Sequence, residues 1–113
     1  DGVIIIAPEY NGAPPASLKN AVDLLTGEWR RKPVAFVTVS DGNFAGTQAI
    51  TSLQFSFWKL GAITVPASMR LANIDKAFDE NGNPTDKQGT DKRAVNFVNE
   101  LLWHIESKKR MSE

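Results

Sequence analysis

The sequence predicts an α/β fold in which helices cover a parallel sheet. The first observation is a continuous apolar run over residues 3–7, Val-Ile-Ile-Ile-Ala. Such a run is typical of a strand buried on both faces of a parallel sheet. The second observation is the order strand, loop, helix, which occurs three times and favours parallel strands joined by right-handed crossovers. We therefore expect the loops that follow the strands to meet at one edge of the sheet, where ligands bind in open α/β folds.

The first strand leads into a turn and a helix. Residues 8–16 contain several Pro, Asn and Gly residues, which are typical of a loop. We expect Ser17 to cap the helix that follows and Gly27 to adopt the left-handed conformation after its end. Residues 28–32 are predicted to be a polar connector with one large aromatic, Trp29, which is expected to fill a core or a subunit interface. The helix itself is indicated by apolar residues at i, i+3, i+4 and i+7, which are Leu18, Ala21, Val22 and Leu25.

The second and third units follow the same pattern. Residues 33–39 are predicted to form a buried strand that begins with a proline, which a strand tolerates at its first position. Residues 40–46 are rich in turn formers, and Gly61 ends the next helix. A short third strand is expected over residues 62–66. The second helix, over residues 47–60, is predicted from the apolar stripe Ile50, Leu53, Phe57 and Leu60.

The last third of the chain is less regular until its final helix. Residues 67–77 are interpreted as extended chain with a helical turn, and residues 78–86 as a surface loop centred on Asn81-Gly82. The last helix is predicted from an N-cap at Thr90 to about residue 109. Phe97 is placed beside its apolar face, which is expected to consist of Ala94, Val95, Val98, Leu101, Leu102 and Ile105.

Composition excludes several kinds of site. The 113 residues make one domain at most, and they include no cysteine, which excludes disulfides, thiolate nucleophiles, iron–sulfur clusters and Cys-ligated zinc. A single histidine, His104, rules out a His-rich metal site, so no metal ligand is predicted. The formal net charge of zero argues against nucleic-acid or anionic-membrane partners. No apolar run approaches the roughly 20 residues of a membrane span, and a cytoplasmic location is expected.

The first strand begins within two residues of Asp1. A strand buried on both faces needs neighbours on both sides, so we expect the front of a larger domain to lie outside these residues.

The chain resembles a known family at its start. Residues 1–12, DGVIIIAPEYNG, and residues 15–23, PASLKNAVD, closely resemble the signature of the NADPH-dependent FMN reductase family, which includes flavodoxin-like quinone, azo-dye and chromate reductases. The pentapeptide PEYNG and the helix start LKNA occur together at the family's spacing. At lower stringency the resemblance covers the whole chain, including Ser40-Asp41-Gly42 and the turn over residues 79–84.

The resemblance implies a flavodoxin-like three-layer fold with a parallel sheet of strand order 2-1-3-4-5 and FMN at the switch point between strands 1 and 3. Residues 1–113 would then be the C-terminal part of an FMN-binding domain, without its first two strands. The family's phosphate-binding turn, a Gly-Ser-x-Arg type, has no counterpart in this sequence.

The resemblance also implies which residues bind FMN. The loop of residues 8–12 would border the isoalloxazine ring, with Asn11 and Gly12 nearest to it, and the loop of residues 40–46 would cover the other side. No catalytic residue is predicted, because the cofactor itself carries the hydride chemistry. The predicted FMN-binding residues are Pro8, Glu9, Tyr10, Asn11, Gly12, Ser40, Asp41, Gly42, Phe44 and Gly46.

The implied function is an NAD(P)H-dependent FMN oxidoreductase. Hydride would pass from NADPH or NADH to FMN and electrons would leave for a quinone-like or other small acceptor, in homodimers or homotetramers packed through the helix after residue 46. Two alternatives stay open. One is an electron carrier or regulatory module that binds FMN without turnover, and the other is an interaction fragment whose first strand pairs with another chain.

Simpler interpretations apply to several of these side chains. Tyr10 is as readily a packing or dimer-contact residue as a flavin contact. Glu9 is expected to be solvated or to cap a helix rather than to act as a general base. Ser40 is not expected to be a nucleophile, because the one histidine, His104, lies far along the final helix without a catalytic role. Phe44 is the loop aromatic expected at the ligand edge.

Overall fold

The structure, a computed structural model, describes residues 1–112. None of its helices is both long enough and apolar enough to cross a membrane. A short 3₁₀ helix, Gly27–Trp29, precedes the second strand. In chain order the other elements are β1 (Val3–Pro8), α1 (Ala16–Asp23), β2 (Pro33–Val39), α2 (Thr47–Lys59), β3 (Ile63–Thr64), β4 (Met69–Leu71), α3 (Ile74–Ala77) and α4 (Lys87–Ser112).

All strand pairs are parallel, as predicted. β1 pairs with β2 along its whole length, from Val3 opposite Val34 to Pro8 opposite Val39. β3 and β4 both pair with β2 at its other edge. The predicted third strand over residues 62–66 is shorter, β3, and β4 continues along the same edge of β2. β4 and α3 together confirm the extended chain with a helical turn that was predicted for residues 67–77. The interruption between β3 and β4 begins at Pro66, which has no N–H to donate to the ladder, although Val65 still donates to the Val34 carbonyl over 2.9 Å.

One face of the sheet is covered by α1 and α2. Trp29, the one large aromatic of the connector, belongs to this core, which agrees with the expectation that it fills a core or a subunit interface. Its ring meets Phe57 edge to face at 4.8 Å, and its indole N–H donates to the Val22 carbonyl over 3.0 Å. The buried residues of this cluster are Ile5, Ala7, Val22, Trp29, Val34, Phe36, Ile50, Leu53 and Phe57.

The other face is covered by α4, but only in part. Phe97 and Leu101 are the buried residues of this helix. Phe97 is thus on the core face rather than beside it. Three residues assigned to that face from the sequence are exposed, namely Val95, Val98 and Leu102. The reason is the position of α4, which packs over β2 and β4.

β1 is buried on one face only. Ile5 and Ala7 point into the core, whereas Ile4 and Ile6 are exposed, contrary to the expectation of a strand covered on both sides. Among the described residues, β1 has a single neighbouring strand, β2. The far edge and the outer face of β1 are therefore open in this part of the chain.

Helix ends are where the sequence was least informative. Ser17 lies inside α1 rather than at its N-cap. The N-cap residue is Pro15, and no side chain caps the free N–H groups of this helix. Gly27 starts the 3₁₀ helix instead of ending α1. Thr90 lies inside α4, which begins at Lys87, and the Asp86 carboxylate accepts a hydrogen bond from the Gly89 N–H over 3.0 Å.

The prediction at Gly61 is confirmed. Gly61 has φ 79°, and its N–H donates to the Trp58 carbonyl while the Ala62 N–H donates to the Phe57 carbonyl, both over 3.0 Å. This pair of bonds is the Schellman motif that satisfies the last carbonyls of a helix.

The loop centred on Asn81-Gly82 is also confirmed. The Asp79 carboxylate accepts hydrogen bonds from the backbone N–H groups of Asn81 and Asn83, each over 2.9 Å. These bonds favour the ionised form, so the pKa of Asp79 lies below its ordinary value, with the bond from Asn83 as the largest cause.

Candidate functional site

A cavity of about 470 Å³ opens at the edge where β1 and β2 end. The loop after β1 forms one wall and the loop after β2 forms the other. The two loops thus adjoin, as expected from parallel strands. Eight of the ten residues predicted to bind FMN line this cavity, namely Pro8, Glu9, Tyr10, Ser40, Asp41, Gly42, Phe44 and Gly46.

Asn11 and Gly12 do not line this cavity, although the sequence placed them nearest the ring. Their φ angles of 54° and 82° and the paired bonds between Tyr10 and Ala13, of 2.7 and 3.2 Å, form a tight two-residue turn. A two-residue hairpin turn of this type requires positive φ at both central residues, and Asn-Gly is favoured there for that reason. Asn11 and Tyr10 line a neighbouring cavity of about 470 Å³. The role of this pair at a cofactor stays a prediction.

Two lining residues were not predicted, Val39 and Ile74. Ile74 begins α3, and its N–H donates to the Ser40 carbonyl over 3.0 Å, while the Asn73 N–H donates to the Gly42 carbonyl over 3.0 Å. The segment after β4 therefore supports the second loop from behind. The sequence offered one signal for Ile74 as a lining residue: the segment after the third strand was expected at this edge of the sheet.

Glu9 connects the first loop to α2. Its carboxylate oxygen Oε1 accepts a hydrogen bond from the Ala49 N–H over 2.9 Å. The N-cap of α2 is Gly46, which has no side chain to offer, so Glu9 satisfies one of the free N–H groups at the helix start. Its negative charge is also favourable at this end of the helix dipole. Of the two interpretations expected for Glu9, the structure shows the helix-capping one.

The end of the second loop is fixed against β2. Ala45 and Gly46 both have left-handed backbones, with φ 55° and 72°. The hydroxyl of Thr38, a fully buried side chain, donates to the Ala45 carbonyl over 2.5 Å. A Cβ on Gly46 would lie 2.7 Å from the Thr38 Cβ. Only glycine allows the chain to pass this close to β2 and then enter α2.

The second loop leaves backbone hydrogen-bond donors without a protein partner in the part of the chain that the structure describes. Within the described residues, the backbone N–H groups of residues 41–46 donate no hydrogen bond. A Cβ on Gly42 would meet no atom within 4 Å, and Phe44 is 85% exposed at the rim. A planar ring with several oxygen and nitrogen acceptors, such as a flavin, fits this combination of free amides and an apolar rim.

The charged residues that line the cavity are acidic, which suits a flavin ring better than a phosphate group. These residues are Glu9 and Asp41, and no Lys or Arg side chain is among the lining residues. The Ser40 hydroxyl donates to the Gly42 carbonyl over 2.9 Å. His104 lies on α4 with Nδ1 2.8 Å from the Glu100 carbonyl oxygen, and it is not among the residues that line the cavity with Ser40. Among residues 1–112 no group of three or more His, Asp or Glu side chains is arranged to hold a metal ion.

Comparison with known proteins agrees with this geometry. The family model described as NADPH-dependent FMN reductase matches residues 1–76. A match over two thirds of the chain decides the family.

The chain belongs to the NADPH-dependent FMN reductase family.

Among its relatives is an NADPH azoreductase of Bacillus sp. (strain OY1-2), 33% identical over 88 residues, which are 74% of this chain and 49% of that protein. A quinone reductase of Pseudomonas putida (strain KT2440) is 32% identical over 94 residues, 77% of this chain and 50% of that protein. The chain thus spans about half the length of these two curated relatives.

A solved structure supports the fold. FerB of Paracoccus denitrificans, a flavoenzyme NAD(P)H:(acceptor) oxidoreductase, superposes with a TM-score of 0.73 at 26% identity, over 93% of this chain and 61% of that one. The prediction of a flavodoxin-like α/β fold with a parallel sheet is confirmed. That residues 1–113 form the C-terminal part of the domain stays a prediction.

Replacement of Glu9 by alanine is expected to lower the free energy of unfolding by about 1 kcal/mol, the usual loss for a helix cap. Glu9→Gln keeps an oxygen acceptor for the Ala49 N–H and is expected to lose less. Urea denaturation without flavin measures both.

Glu80→Ala is the matched control, because Glu80 is an exposed loop carboxylate whose removal should change stability by less than about 0.5 kcal/mol. Equal losses for Glu9→Ala and Glu80→Ala would show that the contact to α2 contributes nothing.

Proposed function

We propose that the protein is an NAD(P)H-dependent FMN oxidoreductase that passes electrons from NADPH or NADH, through FMN, to a small acceptor such as a quinone. The observation that carries this proposal is the cavity between the loops after β1 and β2, in a chain of the FMN reductase family. The names of the azoreductase and quinone reductase relatives support a small-molecule acceptor.

The residues of this chain would bind and orient the cofactor. When bound, FMN supplies the hydride-accepting chemistry. The free N–H groups of residues 41–46 would donate to the polar edge of the ring, and Phe44 and Tyr10 would limit the access of water to it. Glu9 keeps the two walls at a fixed separation through α2. Such positioning is the protein's main contribution when the reacting atoms belong to the cofactor and the substrate.

The expected cytoplasmic location is part of this proposal, since reduced nicotinamide cofactors are made and used inside cells. An electron carrier that binds FMN in the same cavity remains the alternative function, and turnover distinguishes the two.

Replacement of Gly42 by leucine is expected to raise the Kd for FMN at least about tenfold, or about 1.4 kcal/mol. The added side chain would enter open cavity space. The fold should therefore be unchanged, while the leucine would occupy the space that the flavin ring needs. Flavin fluorescence quenching gives the Kd, and NADPH oxidation with added quinone gives the turnover.

Gly27→Leu is the matched control, because a Cβ on Gly27 also meets no atom within 4 Å but lies outside the cavity. Unchanged FMN affinity in Gly42→Leu would refute the proposed binding site. Tight FMN binding in the wild type without turnover would favour the electron carrier.

We also propose that the protein forms homodimers through the outer face of α2. Phe55 and Trp58 are 65% and 68% exposed on that face, with ring centroids 6.2 Å apart. Lys59 is the one charged residue of the helix. An exposed aromatic surface with little charge is typical of contacts between subunits, and the same face on two copies would make a symmetric interface.

Trp58→Lys is expected to shift the protein from dimer to monomer in sedimentation experiments, because it would place two like charges in the symmetric contact. Trp103→Lys, which changes an exposed aromatic on α4, should leave the dimer intact. A wild-type monomer at high concentration, or dissociation only in Trp103→Lys, would contradict the proposed interface.

A further inference from the structure

Arg31 occupies a backbone conformation that normally belongs to glycine. The Lys32 N–H donates to the Trp29 carbonyl over 2.9 Å and closes a turn. Arg30 has φ −59° and ψ 123°, and Arg31 has φ 58°. These angles describe a type II turn, whose third residue requires positive φ and is usually glycine. An arginine at this position costs stability, so its side chain is a candidate for a functional role.

The surroundings of Arg31 make it the centre of a basic surface. One cavity, of about 570 Å³, is lined by Arg31 together with Arg30 and Lys59. A second, of about 420 Å³, is lined by Arg31 together with His104 and Lys108. Among the described residues, none of the Arg and Lys side chains named here makes an ion pair. Arg31 therefore stands between two open cavities, with Arg30 and Lys59 on one side and Lys108 on the other, where His104 lies 3.9 Å from the Glu100 carboxylate.

The groups near these cavities that would oppose an anion are the carboxyl ends of α2 and α4 and the ionised Glu28 carboxylate. The last carbonyls of α2 accept hydrogen bonds from the N–H groups of Gly61 and Ala62, which lessens the negative end of the helix dipole. The nearby Glu28 lines neither cavity. Its carboxylate accepts a hydrogen bond from the Thr26 N–H over 2.9 Å, and hydrogen bonds from the backbone of Glu28 itself and of Thr26 lower its pKa.

We propose that the cavities on either side of Arg31 bind a phosphate-bearing small molecule. The planar guanidinium matches two oxygens of a phosphate at once, and Lys59 or Lys108 adds a second positive charge. The site lies where β2 begins, opposite the flavin cavity where β2 ends. The length of this strand separates the two by about 20 Å, so the ligand is a second molecule and not part of the bound flavin or its hydride donor.

Inorganic pyrophosphate is the probe for this site. Titration at low ionic strength, followed by amide chemical shifts and calorimetry, is expected to give saturable binding with a Kd below about 1 mM, with shifts confined to the residues around Arg31. Added salt should weaken it, as for any exposed charged contact. Citrate, which has a similar charge but no phosphate, should bind more weakly.

Arg31→Gly separates this role from a structural one. It removes the charge and places glycine at φ 58°, so the Tm should be unchanged or higher while the Kd for pyrophosphate rises at least tenfold. Arg30→Gln, which makes no demand on the backbone, should raise the Kd as well. Lys92→Ala removes an exposed charge on α4 away from both cavities and should leave the Kd unchanged.

Several results would overturn the proposal. These are no saturable binding to the wild type, equal binding by Arg31→Gly, equal weakening by Lys92→Ala, or equal binding of citrate. A lower Tm in Arg31→Gly would show that the arginine serves the turn itself.

Discussion

The parallel pairing of β1 with β2 is the constraint on which the rest of the structure depends. The register runs from Val3 opposite Val34 to Pro8 opposite Val39, so both strands end at the same level and their loops leave the sheet side by side. Antiparallel pairing would have sent one loop to the opposite edge. Neighbouring walls at the carboxyl edge are therefore a consequence of topology, and the side chains there only refine the distance between them.

Three local contacts carry out that refinement. Glu9 ties the first loop to the start of α2, Thr38 holds the carbonyl of Ala45, and Asn73 with Ile74 supports the second loop from behind. A hydrogen bond of this kind contributes about 1 kcal/mol. Such contributions are small beside the burial of the Trp29 and Phe57 cluster, yet they hold the two loops that line the cavity. The scaffold thus supplies the stability, and a few polar contacts supply the geometry of the cavity.

The sequence predicted the sheet and the meeting of the loops at one edge well, because both follow from apolar periodicity and from turn residues. β2 has the predicted bounds, and most predicted site residues share one cavity. Features that depend on tertiary contacts were missed. Trp29 was expected to fill a core or an interface, but its partner Phe57, 28 positions later, could not be identified from the sequence. The face of α4 was misassigned because its apolar stripe is wider than the part of the sheet that it covers. The placement of Asn11 and Gly12 nearest the ring came from the family resemblance and stays a prediction.

The central claim is that the loops after β1 and β2 form two walls of one flavin site. Mapping of amide chemical shifts during an FMN titration tests it most directly. The account predicts that residues 8–10, residues 40–46 and Ile74 shift together with one Kd, while Gly27 and Gly61 at the opposite edge stay unchanged. Shifts confined to a single loop, or shifts at the opposite edge, would contradict it.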